Sequence, residues 1–351
     1  MARGGSIVVA GAGAIGSAIA LTLARAGWRV AVADPAPIGA NASGVAAGML
    51  APAFESLFDE ATPARYPLLV AARDLWPSFA EGSGAPLMRD GAMAVGGERE
   101  VEAWAKRLGA RGPSCRILEP RLARSMAPGL ERGLWAVLTP ADWRLDPRAS
   151  LAALRRAGEG LGVRFVRGRL VAAEGGQARL EGEPSPIAAD LVVLATGAAP
   201  APDIAPELAA LTPIKGHILR SSEPWQADVT IRGAGVYLCP AGAGVVLGAS
   251  MEPGRADLAV DASVTQALLA SAERLTPGVG VRAWRAETGV RAATPDGLPL
   301  VGFSRAEGVI LAVGARRNGW LLAPLIAGAV IDLVEGRPVS GPAARFGADR
   351  Y

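Results

Sequence analysis

Gly11-x-Gly13-x-x-Gly16 lies between a short β-branched run, Ser6–Ala10, and a stretch of small and aliphatic residues reaching Arg25. Few backbones satisfy that pattern. The first glycine permits a tight turn, the second lets another group approach the main chain, and the third lets helix and strand pack closely. Ile15 to Arg25 therefore reads as a helix, entered through Ala14 and closed by Gly27. Arg29–Ala33 reads as a second strand ending at Asp34, 18 residues beyond Gly16. Strand, turn, helix and strand make a βαβ unit. The unpaired N–H groups at the helix start suit a pyrophosphate, and the Asp34 carboxylate suits ribose hydroxyls. The pattern predicts a dinucleotide site, but its spacing does not choose between a flavin and a nicotinamide.

The rest of the 351 residues is read against that start. Helical patterns cover Pro63–Ala80, Glu98–Leu108, Asp146–Gly160, Val264–Leu275 and Trp320–Glu335, with Asp146 as an N-cap and Pro147 in the first turn. Strands are expected at Asp90–Val95, Val163–Val171, Asp190–Ala195 and Val309–Val313. Val229–Ser250 alternates between glycines, as antiparallel strands do. Half the residues are hydrophobic, enough for a large core, while net charge is only +3. The pI near 9.2 reflects an arginine-for-lysine bias, with lysine only at Lys106 and Lys215. The arginines are scattered, so no nucleic-acid partner is expected. Cys115 and Cys239 stand alone and are expected as reduced thiols. A single histidine, His217, excludes a multi-histidine metal site, and no metal is expected. No segment has the length of a membrane span, and Met1–Gly5 is too short for a signal peptide, so a cytoplasmic protein is expected.

A second segment, Ala42-Ser43-Gly44-Val45-Ala46-Ala47-Gly48-Met49, offers small residues that suit close approach to a flat ligand. In shared order follow DWRLDPRA at 142–149, VVLATGA at 192–198, PIKGHIL at 213–219 and GVYLCP at 235–240. LGASMEPG at 247–254, TGVRAATPDGLPLVG at 288–302 and RNGWLLAP at 317–324 complete the series. Spread over nearly the whole chain, these segments resemble the D-amino-acid oxidase superfamily, and within it the glycine oxidase branch associated with thiamine biosynthesis. The resemblance implies an α/β fold: a discontinuous, Rossmann-like FAD-binding domain (1–84, 144–212 and 286–351) with an interleaved α+β substrate domain (85–143 and 213–285) built on an antiparallel sheet. It places the FAD pyrophosphate at Gly11, Gly13, Ala14, Ile15 and Gly16, and the ribose at Asp34 and Pro35. Ala42, Ser43, Ala47, Gly48 and Met49 would run beside the isoalloxazine, and Leu170 near the adenine. Gly197 would adjoin the cofactor. Gly314, Ala315, Arg316, Arg317, Asn318, Gly319, Trp320 and Leu321 would hold the pyrimidine edge. Some sarcosine-oxidising relatives bond FAD through a cysteine where this chain has Gly289, so the FAD is expected to be non-covalent.

For the substrate, the resemblance implies Arg291 as the carboxylate anchor, a planar guanidinium matching a carboxylate in two places. Arg317, Tyr237 and Met251 would line the same site. No catalytic side chain is expected, because the flavin itself accepts the hydride, and His217 is not expected to act as a base. The implied activity is oxidation of glycine, another small amino acid or a secondary amine to an imine and then an oxo acid and ammonia, with dioxygen as acceptor. Where relatives carry an imidazole and an aromatic ring, this chain has Ala315 and Arg316, read as extra space near the flavin and as either a second anchor or a solvent-facing cation. A proline-type dehydrogenase using another acceptor, a non-catalytic FAD-binding subunit, an NAD-dependent dehydrogenase and a homo-oligomeric state stay open.

Overall fold

The computed structural model describes residues 4–59, 65–199 and 201–351. Ser6–Ala10 (β1) pairs in parallel with Arg29–Asp34 (β2), and Ala14–Arg25 (α1) connects them. Both strands are almost wholly buried, because a parallel sheet covered on both faces needs continuous apolar strands. The six-stranded sheet runs in the order 300–303, 309–313, 191–194, β1, β2, 164–167. Only 300–303 is antiparallel to its neighbour. On one face α1 packs against the final helix, Gly319–Val334, around Ile19, Leu23, Leu322 and Ile326.

The second large sheet holds nine strands and is mostly antiparallel. Val236–Ala241 and Gly244–Gly248 form the hairpin that the glycine-punctuated alternation predicts. Thr230–Gly233 departs from an all-antiparallel reading, since it joins Ala92–Gly96 in parallel. Arg285–Ala293, which carries little apolar periodicity, is also a strand and pairs along its length with Thr212–Ser221. The domain limit drawn at 286 falls inside this strand.

Two expected elements divide. Val163–Val171 becomes Arg164–Arg167 beside β2 and Leu170–Glu174 in a separate three-stranded sheet. Gly168 lies at the break, where a Cβ would meet Leu180 at 3.1 Å. The helical stretch read from Pro63 begins outside the described residues and continues as Tyr66–Asp74 and Trp76–Ser83. Pro77, at the start of the second piece, lacks the N–H that would continue the first. No described helix is long and apolar enough to cross a membrane, and both cysteines are free thiols.

Candidate active site

Two chain segments reach the same crevice at the carboxyl ends of β1 and 191–194, where the strand order reverses and open α/β sheets bind ligands. Gly11 has φ +108°, a backbone that side chains rarely adopt. A Cβ there would run into the Ala195 carbonyl, and one on Gly16 into the Gly11 carbonyl. Gly13 differs, because a Cβ would meet only the Ser43 hydroxyl, at 3.0 Å. Asp34 pins the turn through both oxygens, accepting from Ala12 N–H at 2.7 Å and Ala36 N–H at 2.8 Å, the latter just past Pro35. Ser43 accepts from Ala14 N–H at 2.9 Å, so the small-residue segment is tied to the glycine turn.

The start of α1 fits a pyrophosphate: its N-cap is a glycine without a side chain and its first turn, with Ile15, holds no acid. Thr196, at the end of the neighbouring strand, has a buried hydroxyl without a partner among the described residues, and Gly197 follows it with φ +64°. An orphaned hydroxyl beside a helix start whose N-cap is a glycine fits a phosphate-bearing group. Leu170 heads the three-stranded sheet and packs in one cluster with Ala10 and Ala33 near the carboxyl ends of β1 and β2.

Beside Ser43, which is tied to the glycine turn, a cavity of about 700 Å³ lies between the Ala42–Met49 segment and the nine-stranded sheet. Ala42, Ala47, Gly48 and Met49 line one side, with Arg317, Asn318 and Trp320. Ala42–Val45 forms a one-turn helix (α2) capped by Asn41. Trp320 Nε1–H donates to the Ser43 carbonyl at 3.0 Å, joining the final helix to this wall. The opposite wall is the larger sheet. Its register sets Arg232 opposite Tyr237, Tyr237 opposite Gly248, and Gly248 opposite Ile218. Gly216 and Ile218, two residues apart, share that face, and Gly289 opposite Gly216 brings Arg291 to it.

Arg291 lies flat over Gly216, where a Cβ would sit 2.5 Å from its Nη2. No hydrogen bond or ion pair holds its guanidinium among the described residues, and Nη1 is buried without a partner. Burial lowers its pKa, opposed by Tyr237. Tyr237 is itself pushed up to about 12, first by burial and then opposed by Arg291, so it stays a neutral phenol. Met251 lines the cavity and its Sδ lies 3.8 Å from Arg317 Nη1.

Pro52–Phe58 (α3) brings in groups that sequence reasoning missed. Its Glu55, 5% exposed, binds Arg317 through Oε2 and Arg232 through Oε1 at 3.0 Å. Burial raises the Glu55 pKa, but the two cations outweigh it and leave the carboxyl below its usual value. Buried Asp142 anchors α3 by accepting from Ala53 N–H at 2.7 Å and Phe54 N–H at 3.0 Å. A detectable signal existed: Glu55 and Asp59 are four residues apart in an apolar setting, and two such acids need cations.

Arg316 is neither a second anchor nor a free surface cation. It adopts φ +51° and pairs with Asp59. Ala315 is 7% exposed, packs into the core and bridges Ala293, adding no space to the cavity wall. Gly314 and Leu321 support the turn from behind, Gly314 against Thr294 and Leu321 in the core beside Trp76. Gly319 begins the final helix. His217 is fully buried outside the cavity. Its Nε2 accepts from Asp261 N–H at 2.9 Å, which puts the ring proton on Nδ1, 2.8 Å from Glu252.

Residues 6–333 match the family model for FAD dependent oxidoreductases, DAO. The chain is 30% identical to glycine oxidase from Geobacillus kaustophilus over 98% of its length and 97% of that protein's. The crystal structure of that enzyme superposes with a TM-score of 0.86 at 28% identity, covering 98% of each chain. The bifunctional protein ThiO/ThiG of Trichormus variabilis is 32% identical over 93% of this chain and 52% of its own longer length. With the glycine turn, the cavity beside the 42–49 segment and these relatives, the chain belongs to the DAO family of FAD dependent oxidoreductases, and FAD is its cofactor.

Proposed function

We propose that this chain oxidises the carbon–nitrogen bond of a small amino acid or secondary amine. For a primary amine the balanced reaction is amino acid + O2 + H2O → 2-oxo acid + NH3 + H2O2. The observation that carries the reading is the unpartnered Arg291 guanidinium in a cavity walled by Ala42–Met49 and the 317–320 turn. Bound FAD, held non-covalently by the glycine turn, Asp34 and these walls, supplies the two-electron acceptor. The three chain segments 1–84, 144–212 and 286–351 would together bind it. Arg291 takes the substrate carboxylate in two places, and the Tyr237 hydroxyl donates to it. Arg317, fixed by Glu55, bounds the pocket with Met251.

Among the described residues no buried acid or imidazole of the site is free to act as a base. Both Glu55 oxygens are occupied by arginines, and His217 is engaged elsewhere. The amine must therefore arrive deprotonated, with its α-carbon positioned by the carboxylate contact. A relative named putative thiamine biosynthesis oxidoreductase ThiO supports a role in thiamine biosynthesis, and a cytoplasmic site belongs to the same proposal. The test is anaerobic mixing of the flavoprotein with small amino acids and N-methyl amines, then measurement of peroxide and ammonia under air. Flavin bleaching without peroxide would identify a dehydrogenase, and no bleaching by any amine would refute the proposal.

A further inference from the structure

The cavity carries more positive charge than a monocarboxylate substrate neutralises. Among the described residues its buried wall presents Arg232, Arg291 and Arg317 against the single carboxylate of Glu55, an excess of two cations. Behind it Asp59 pairs with Arg316 and lies 3.6 Å from Arg317, so Glu55 and Asp59 face four arginines and the excess stays at two; the exposed Arg274 and Glu100 add one charge of each sign. One substrate carboxylate on Arg291 leaves one positive charge unanswered.

Arg232 is where that charge resides. It is 9% exposed, its Nη2 donates to Glu55 at 3.0 Å, and its guanidinium lies 5.6 Å from the Phe58 ring centroid. Its Nη1 has no partner among the described residues, although buried N–H groups are nearly always satisfied. Arg232 and Arg291 are on the first and last of five adjacent strands. At about 4.8 Å per strand, their backbones are roughly 19 Å apart, so the two guanidiniums enter the cavity from separate strands on either side of Tyr237, whose hydroxyl feels both. Glu55 fixes the Arg232 fork and leaves the Nη1 edge for an anion.

We propose that Arg232 binds a second acidic group of the substrate, making the preferred substrate an amino acid or secondary amine with two carboxylates. This deepens the amine-oxidising reading and rests on it.

The experiment compares matched substrates on wild-type holoenzyme: aspartate with asparagine, glutamate with glutamine (both enantiomers), and N-carboxymethylglycine with N-methylglycine. Flavin reduction is followed anaerobically. For at least one pair the acid should exceed its partner in kcat/KM by roughly 10- to 150-fold, the range for a charge-assisted contact. Arg232→Gln should collapse that ratio toward one, and Arg232→Lys should restore part of it. Independently of turnover, succinate should perturb the flavin spectrum at concentrations lower than propionate by a similar factor, in wild type alone. Equal rates on acid and neutral partner in every pair that reacts would overturn the role of Arg232 and leave the amine-oxidising reading intact. If no amine reduces the flavin, that reading falls, and the succinate titration decides alone: binding no tighter than propionate overturns the second-anion site. Should the variants lose FAD, the wild-type comparisons decide.

Discussion

Arg291 carries a buried charge that no neighbour among the described residues neutralises by direct contact, an arrangement that persists when a ligand completes it. Arg291→Ala should leave the fold and FAD in place and lower kcat/KM for the best amino acid by about 10- to 150-fold, equivalent to ~1.5–3 kcal/mol. Arg291→Lys should recover only part, because a point charge cannot reproduce the bidentate fork. Steady-state kinetics on the acid and on the matching amine without a carboxylate is the check; variants that behave as wild type on the acid would remove Arg291 from the site. Tyr237 supplies a pH test. Burial holds its hydroxyl protonated up to about 12, so it cannot ionise in the working range. The profile of kcat/KM should rise with the deprotonation of the substrate amine and show no descending limb below pH 10. A limb there that disappears in Tyr237→Phe would contradict this assignment.

The glycine turn and α3 make their own predictions at the scale of elements. In the turn, the glycines divide by what a methyl group would strike. Gly16→Ala would drive a Cβ into the Gly11 carbonyl and should lower thermal stability or abolish soluble expression. Gly13→Val meets only a serine hydroxyl inside the protein, so the fold should survive while FAD is lost from the crowded pyrophosphate approach. Flavin absorbance per folded chain separates the outcomes; stoichiometric FAD on Gly13→Val would misplace the phosphates. For α3 the anchor is Asp142, whose pKa burial raises to about 6 against the two backbone donors. A folded-state value above the unfolded one means that the protonated form is favoured in the native state. Stability from this group is therefore present below about pH 4 and lost as pH rises toward 6. Melting temperatures across that window should fall for wild type relative to Asp142→Asn. Asp142→Ala, which strands two buried N–H groups, should be less stable at every pH by about 2–4 kcal/mol.

Across the whole molecule, the cavity exists because the 42–49 segment and the 317–320 turn face the nine-stranded sheet across a gap. The six-stranded sheet brings the glycine turn; the nine-stranded sheet brings Tyr237, Arg232 and Arg291. Gly289 is at the junction, where a Cβ would lie 3.2 Å from Ala42 Cα, and no cysteine is present to bond a flavin there. Heat or acid precipitation should accordingly release all the FAD into the supernatant; flavin remaining on the denatured chain would show a covalent link formed elsewhere.

The sequence alone determined what depends on neighbours along the chain. The βαβ start, the caps at Gly27 and Asp146, the buried parallel strands and the glycine hairpin follow from local periodicity, sterics and turn chemistry, and the structure has them where expected. The ordered series of short segments also identified the superfamily, since sites spread along a chain stay together only within one fold. What tertiary structure decided was the pairing of charges. Glu55 with Arg232 and Arg317, Asp59 with Arg316, and Asp142 with the start of α3 join residues that are far apart in sequence. An arginine on paper looks the same whether it faces water, an acid or an empty cavity. Arg316 is held by Asp59, and Arg232, to which the sequence assigned no role, is held by Glu55, because burial and partner, which determine what a charge can do, are properties of the folded surroundings.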